Sequence, residues 1–323
     1  MDAALELRIH GLMVQARVLE DQLIAMVHGG DGYFWIGGPG EEAFNVPLGL
    51  LVQKGEGPSF DYLHFSYRSS ATLLAMGAAP IDTLRQMRAT ATDPYTGGRN
   101  FANHYARREW NVLPVTSAVA VQYSQSIGTA HVQKREGGTG ITIVNGGDAG
   151  AAEGDFATCL VWSSRPGAEL PILILVMNNH WGISTESRTQ WPMTDISSRA
   201  GAFGIRHARI DGNDVAASWA AIESAMDYVR HERRPFCLQA DVSRLHGHSS
   251  STGGALVDER DCLKEFEAKL ITEGKLSRED AAAIWEKHRA ALRADLEIVR
   301  GEPLPDPATI HDYTFWGRKE QGT

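Results

Sequence analysis

The chain has 323 residues, with 40 Asp or Glu against 31 Lys or Arg, a formal charge of −9. That balance argues against a basic, phosphate-tracking surface and therefore against nucleic-acid binding, and no uncharged apolar run reaches the roughly 18 residues a membrane span needs. With 43% hydrophobic and 22% charged residues, a soluble globular protein large enough for a sizeable core is expected.

The opening stretch, MDAALELRIHGLM, has no basic segment followed by an apolar run and a small-residue cleavage site, so the expected compartment is the cytoplasm in which the chain is made. Leu5, Ile9, Leu12, Ala16, Leu19, Leu23 and Met26 recur at steps of three and four, which predicts one amphipathic helix over 2–27, ended by the glycines at 29, 30 and 32. From Tyr33 to Asn103 the sequence predicts a loop-rich wall, interrupted by helical stretches at 41–54, 70–76 and 81–89. A helix over 119–136 then leads to the β-branched run Ile141–Val144, a buried strand, and to a glycine-rich turn over 146–150. Helix 154–163, strand 171–177, strand 206–210, a helix from Val215 capped by Asp214, and strand 236–240 follow. After a His/Ser/Gly loop over 246–254 come helices at 259–272 and 278–300, the latter opened by Ser277. Beyond Gly301 a Pro-containing tail is expected to lie across the surface or on a partner. Strands alternating with helices predict an α/β fold, a parallel β-sheet flanked by helices on both faces. The expected divisions of this one compact unit are 1–110, 111–260 and 261–323. Cys159, Cys237 and Cys262 are too widely and irregularly spaced for a disulfide framework or a zinc site.

In an open parallel sheet ligands sit at the carboxyl ends of the strands. After the first predicted strand stands Asn145-Gly146-Gly147-Asp148-Ala149-Gly150, and after the second Asn178-Asn179-His180-Trp181. A carboxylate and an amide at such neighbouring ends suit a hard divalent ion that also holds phosphate oxygens; alone, the first turn reads equally well as a β–α connection with no ligand. The P-loop pattern is absent, and Ala149 stands where the dinucleotide pattern needs glycine. His246-Gly247-His248 could hold a transition metal, but no third ligand stands at a recognisable spacing, and a Gly/Ser loop is better suited to phosphate.

Gly147-Asp148-Ala149, followed by Glu153-Gly154-Asp155 and then Asn178-Asn179 after an apolar strand, resembles the thiamine diphosphate fingerprint. Tyr67-Arg68, Gly98-Arg99 with His104, Ser117 within 114–122, Ile183-Ser184-Thr185, Asp211-Gly212-Asn213-Asp214 and Arg244-Leu245-His246-Gly247-His248-Ser249 resemble, in order, the alpha subunit of the decarboxylating component of 2-oxo acid dehydrogenase complexes. The resemblance runs from about residue 5 to 270 and implies a thiamine diphosphate-binding fold.

It further implies Mg2+ held by the Asp148 carboxylate, the Asn179 amide oxygen and the Trp181 carbonyl, with Tyr67, Arg68, Ser117, Val119, Gly147, Asp148, Ala149, Asn179 and His248 around the cofactor. His248 and His104 are the implied catalytic residues, and Phe34 lines the substrate pocket. Read without the family, Tyr67 and Arg68 are a surface aromatic and a solvated charge, Ser117 a helix start, and the two histidines satisfied polar residues at loop ends. The implied activity is oxidative decarboxylation of a 2-oxo acid with acyl transfer to lipoyl, a branched-chain acid being favoured by Phe34, Trp35 and the run 98–105. Pyruvate, another thiamine-dependent reaction and a non-catalytic subunit are the alternatives. Because the glutamate that activates the cofactor belongs to the family's beta subunit, an α2β2 assembly is implied, working on a lipoyl-bearing acyltransferase core. Ala149, Met177 and Thr252 depart from the family's pattern, and Ser249 stands where some relatives are phosphorylated.

Overall fold

The computed structural model describes residues 1–252 and 257–312. Gly253 and Gly254 of the predicted loop, and residues 313–323 of the predicted tail, lie outside them. In chain order the first half holds α1 (Ala3–His28), α2 (Glu42–Leu51), β1 (Tyr62–His64), α3 (Ser70–Ala75), α4 (Pro80–Met87), α5 (Val121–Arg135), β2 (Thr142–Gly147) and α6 (Gly154–Ser163). Next come β3 (Ile172–Asn178), the two-residue strands β4 (Trp181–Gly182) and β5 (Thr185–Glu186), and the short turns α7 (Ser187–Gln190) and α8 (Ser198–Gly201). The chain continues through β6 (Arg206–Asp211), α9 (Val215–Glu232), β7 (Phe236–Asp241), α10 (Cys262–Thr272) and α11 (Arg278–Arg300).

Five strands form a parallel sheet in the order β1-β2-β3-β7-β6. Every residue of β3 is buried, because alternate side chains feed two separate cores. Leu173, Leu175 and Met177 join Ile143, Leu238, α2 and α9 on one face, while Ile172, Ile174 and Val176 join Val144, α5 and α6 on the other. Each such aliphatic side chain contributes roughly 1.5–3 kcal/mol by leaving water. A third core gathers α1, α4, α10 and α11 around Ile9, Met13, Leu19, Leu23, Leu270, Leu292 and Leu296. Among the described residues no helix is long and apolar enough to cross a membrane. All three cysteines are buried and unbridged.

Several expectations change at their edges. The wall contains β1, a sheet strand too short to show alternation, paired in parallel with β2 from Tyr62 against Thr142. The strand predicted to stop at Val144 runs on to Gly147, because its ladder with β3 continues through Asn145–Leu175 to Gly147–Met177; Gly146 and Gly147 therefore belong to the strand, not to a turn. The helix predicted from residue 119 starts at Val121, after Ala120 in the left-handed region (φ 69°). The helix predicted from 259 starts at Cys262, where Asp261 accepts hydrogen bonds from the Leu263 and Lys264 N–H groups. The start of the tail folds back on the wall: Glu302 pairs with Arg85, and the Pro303 carbonyl accepts from the Ala91 N–H.

Candidate functional site

At the carboxyl ends of β2 and β3 opens a cavity of about 470 Å³. Its walls come from six segments distant in sequence: the β2–α6 turn, the stretch from the end of β3 to α7, residues 66–68 after β1, the run 116–122 before and into α5, Glu41 before α2, and His248 after β7. Gly146 lets the strand end pass Tyr123, whose hydroxyl donates to the Leu175 carbonyl; a Cβ there would lie 2.5 Å from that hydroxyl oxygen. Ala149 has φ −63°, so its methyl group adds no backbone strain, and it packs where a Cβ on Gly182 would lie 2.7 Å away.

Tyr67, Arg68, Ser117, Val119, Gly147, Asp148, Ala149, Asn179, Trp181 and His248 all line this one cavity. Asp148 is buried and its Oδ2 has no hydrogen-bond partner; burial raises its pKa above the ordinary carboxylate value. Beside it, Asn179 Oδ1 accepts from the Trp181 N–H at 3.1 Å, which folds the chain so that residues 179 and 181 share the same wall. Asp148, Asn179 and Trp181 thus bring to one cavity an unpartnered carboxylate oxygen, an amide oxygen and a main-chain carbonyl, the oxygen-only kinds of donor that suit Mg2+. Among the described residues no three His, Cys, Asp or Glu side chains gather as a metal cluster.

Arg68 is the sole guanidinium among the described residues lining the cavity. It donates to the Gly37 carbonyl and, at 3.2 Å, reaches His248 Nδ1. Burial, with the Arg68 and Arg244 charges, pushes the His248 pKa down to about 4, so the imidazole is neutral. Since Nδ1 accepts from Arg68, the proton resides on Nε2, leaving a donor on a cavity-lining ring.

His104 and Phe34 are not in the lining. The His104 Nδ1–H donates to the Ala102 carbonyl at 3.1 Å, leaving Nε2 to accept from the Ser117 hydroxyl at 2.6 Å, and burial lowers its pKa. Its ring stacks on Tyr67 at 6.3 Å, one side chain removed from the cavity. Phe34 lines a neighbouring cavity of about 320 Å³ with Phe101, 5.2 Å ring to ring, and Phe101 in turn meets His104 at 6.1 Å. An aromatic path thus connects the two cavities.

Sequence reasoning missed Glu41. It is buried in the cavity wall, neither oxygen accepts a hydrogen bond, and the nearest cation is Arg68 Nε at 3.9 Å. Burial pushes its carboxyl up to about 7 against the pull of Arg68. The only local signal was a Glu-Glu pair at a helix start after a glycine-rich stretch, which ordinarily means favourable charge at the helix dipole. Gln122 and Glu153 also line the cavity and were not singled out as site residues.

The family model described as "Dehydrogenase E1 component" matches residues 10–308. The chain is 28% identical over 244 residues to the 2-oxoisovalerate dehydrogenase subunit alpha 2 of Arabidopsis thaliana, covering 76% of this chain and 50% of that protein. To the corresponding alpha subunit of Bacillus subtilis it is 25% identical over 312 residues, 94% of this chain and 93% of the other. To that of Mus musculus it is 28% identical over 287 residues, 86% and 63% respectively. The chain therefore spans about half the length of the plant relative and nearly all of the Bacillus one.

Proposed function

The chain belongs to the dehydrogenase E1 component family, and from that premise we propose that it is the alpha subunit of a thiamine diphosphate-dependent 2-oxo acid dehydrogenase. The observation that carries the proposal is the cavity at the β2 and β3 ends, where an orphaned buried carboxylate oxygen on Asp148 stands with Asn179 and Trp181 on a wall shared with Arg68. Asp148, Asn179 and the Trp181 carbonyl would hold Mg2+; Arg68 and Tyr67 would hold the diphosphate. When bound, thiamine diphosphate supplies the electron sink that decarboxylation of a 2-oxo acid requires.

The chain's own residues do the rest by position. Neutral His248, on the cavity lining, carries its proton on Nε2, and its Nδ1 ties it to Arg68, so the ring cannot turn without breaking that bond. His104 keeps the Ser117 hydroxyl directed at its Nε2, fixing one proton at the lip of the site. The Tyr67 ring packs against both His104 (6.3 Å) and His248 (6.1 Å), tying the two histidines to one aromatic side chain.

A beta subunit in an α2β2 assembly is part of the reading. Val119 (61% exposed) and Ile183 (54%) line the cavity, Tyr33 (68%) and Phe101 (51%) the neighbouring one, and this density of exposed apolar surface around two adjoining openings suits a protein partner. The partner would also bring the carboxylate that activates the cofactor, and a lipoyl-bearing acyltransferase core would take the acyl group. A branched-chain 2-oxo acid is the favoured substrate, supported by relatives named for 2-oxoisovalerate and by the aromatic pair Phe34 and Phe101. The three buried, unbridged cysteines suit a reducing compartment such as the cytoplasm. Calorimetric titration should show Mg2+-dependent binding of thiamine diphosphate to the reconstituted pair, and carbon dioxide release with an artificial electron acceptor should be faster from 2-oxoisovalerate than from pyruvate. Absence of cofactor binding would overturn the assignment; a preference for pyruvate would overturn the substrate.

A further inference from the structure

Glu20 lies on α1, outside the cavity, and is buried. Its carboxylate accepts from the Trp35 indole N–H at 2.7 Å, from the Ser70 hydroxyl, and from the Asn103 amide at 3.3 Å. Its three side-chain hydrogen bonds are the contacts set against its removal from water.

Each donor belongs to a segment that carries a site residue. Trp35 follows Phe34, and its backbone is bonded in both directions to Ser250, N–H to Oγ at 3.1 Å and carbonyl to N–H at 2.9 Å, two residues beyond His248. Asn103 precedes His104, sits in the left-handed region at φ 66°, and also donates to the Ile36 carbonyl at 2.7 Å while accepting from the Tyr105 hydroxyl. Ser70 opens α3, two residues after Arg68. The wall segment runs so close to the carboxylate that a Cβ on Gly37 would lie 2.1 Å from Glu20 Oε2. One side chain with two acceptor oxygens thus receives an N–H, an O–H and an amide from three separate segments, a role an amide with a single acceptor oxygen cannot fill.

Resting on the proposed function, we infer that Glu20 is a positioning residue which fixes the segments bearing Phe34, His104 and His248 relative to one another and so shapes the 2-oxo acid side of the site. It touches neither cofactor nor substrate and acts through Trp35, Asn103 and Ser70.

The test compares wild type, Glu20→Gln and Glu20→Asp in the reconstituted complex. For Glu20→Gln we expect amide hydrogen exchange to rise in peptides covering 33–38, 100–106 and 246–252, with α9 and α11 unchanged. We also expect KM for 2-oxoisovalerate to rise at least tenfold while thiamine diphosphate affinity stays within about threefold. Glu20→Asp, which keeps two acceptor oxygens, should fall between wild type and Glu20→Gln on both measures. Unchanged exchange in those three segments, or exchange that rises equally in α9 and α11, overturns the inference, as does a KM within twofold of wild type. The exchange arm is independent of turnover, so a wild-type complex without activity would sink the proposed function while leaving Glu20 to be decided by exchange alone.

Discussion

Glu41 and Glu42 are consecutive, both buried at the start of α2, and they belong to two different regions of the molecule. Beneath α2, the Glu42 carboxylate accepts from Arg17 Nε at 2.7 Å and Nη2 at 3.0 Å and from the Gly40 N–H at 2.8 Å, and the same guanidinium also holds Asp261 of the α10 cap. Above it, at the cavity, neither Glu41 oxygen nor Asp148 Oδ2 accepts a hydrogen bond. A buried polar group is expensive unless partnered. The lower region meets that cost internally, as a structural element must; the upper one leaves acceptor oxygens open, which fits the cation site proposed for it.

The largest effect expected from this contrast is on the lower region. Arg17→Met strips the buried Glu42 carboxylate of its guanidinium partner and the partly buried Asp261 of the same one, and denaturant unfolding should report a loss of about 3–5 kcal/mol; an unchanged midpoint would break the comparison. Next comes a pH effect at Glu20, where burial raises the carboxyl from 4.5 to about 7. Between these values the folded state binds the extra proton, so Glu20's contribution to stability is fully present below pH 4.5 and lost as pH rises through 7, a change on the order of 3 kcal/mol. Melting curves of wild type and Glu20→Gln should therefore diverge against wild type from pH 5 to pH 8. Taking the difference between the two proteins cancels His64 and His248, whose lowered values act in the opposite direction, removing stability as pH falls from 6.5 to about 4.

Asp148→Asn should weaken Mg2+-dependent cofactor binding about 100-fold, or about 2.7 kcal/mol, measured by calorimetry, and leave the melting midpoint of the free chain unchanged. If stability fell as far as affinity, Asp148 would belong with the structural carboxylates. The smallest effect is expected for Glu41→Gln, which removes a buried acid only partly offset by Arg68 at 3.9 Å and should stabilise the free chain by about 1 kcal/mol, read from urea midpoints.

Much of the fold was legible because its signals are local. The step pattern of α1, the Asp214 and Ser277 caps, and helix 154–163 follow from periodicity and from hydroxyl or carboxylate side chains that accept first-turn N–H groups. β1 escaped because three residues carry no period, and its strand identity derives from pairing with β2, far away in sequence. The glycines at 146 and 147 suggest a turn because composition cannot distinguish a residue that must bend from one that, like Gly146, must stay small beside Tyr123. Of the site, the motif residues were nameable one by one, whereas Glu41 and Glu20 have no motif around them.

What the sequence determined by itself is the longer helices and four of the five sheet strands, the polar residues stationed at strand ends, and a likeness strong enough to name a family, signals carried by residues near one another along the chain. Only the tertiary structure decided that Glu41 faces the cavity while Glu42 faces Arg17, that Phe34 and His104 stand behind the cavity instead of in it, and that one carboxylate on α1 binds three site-bearing segments together. Those outcomes depend on which remote donors arrive at a given oxygen, and chain folding in three dimensions, not spacing along the chain, sets that encounter.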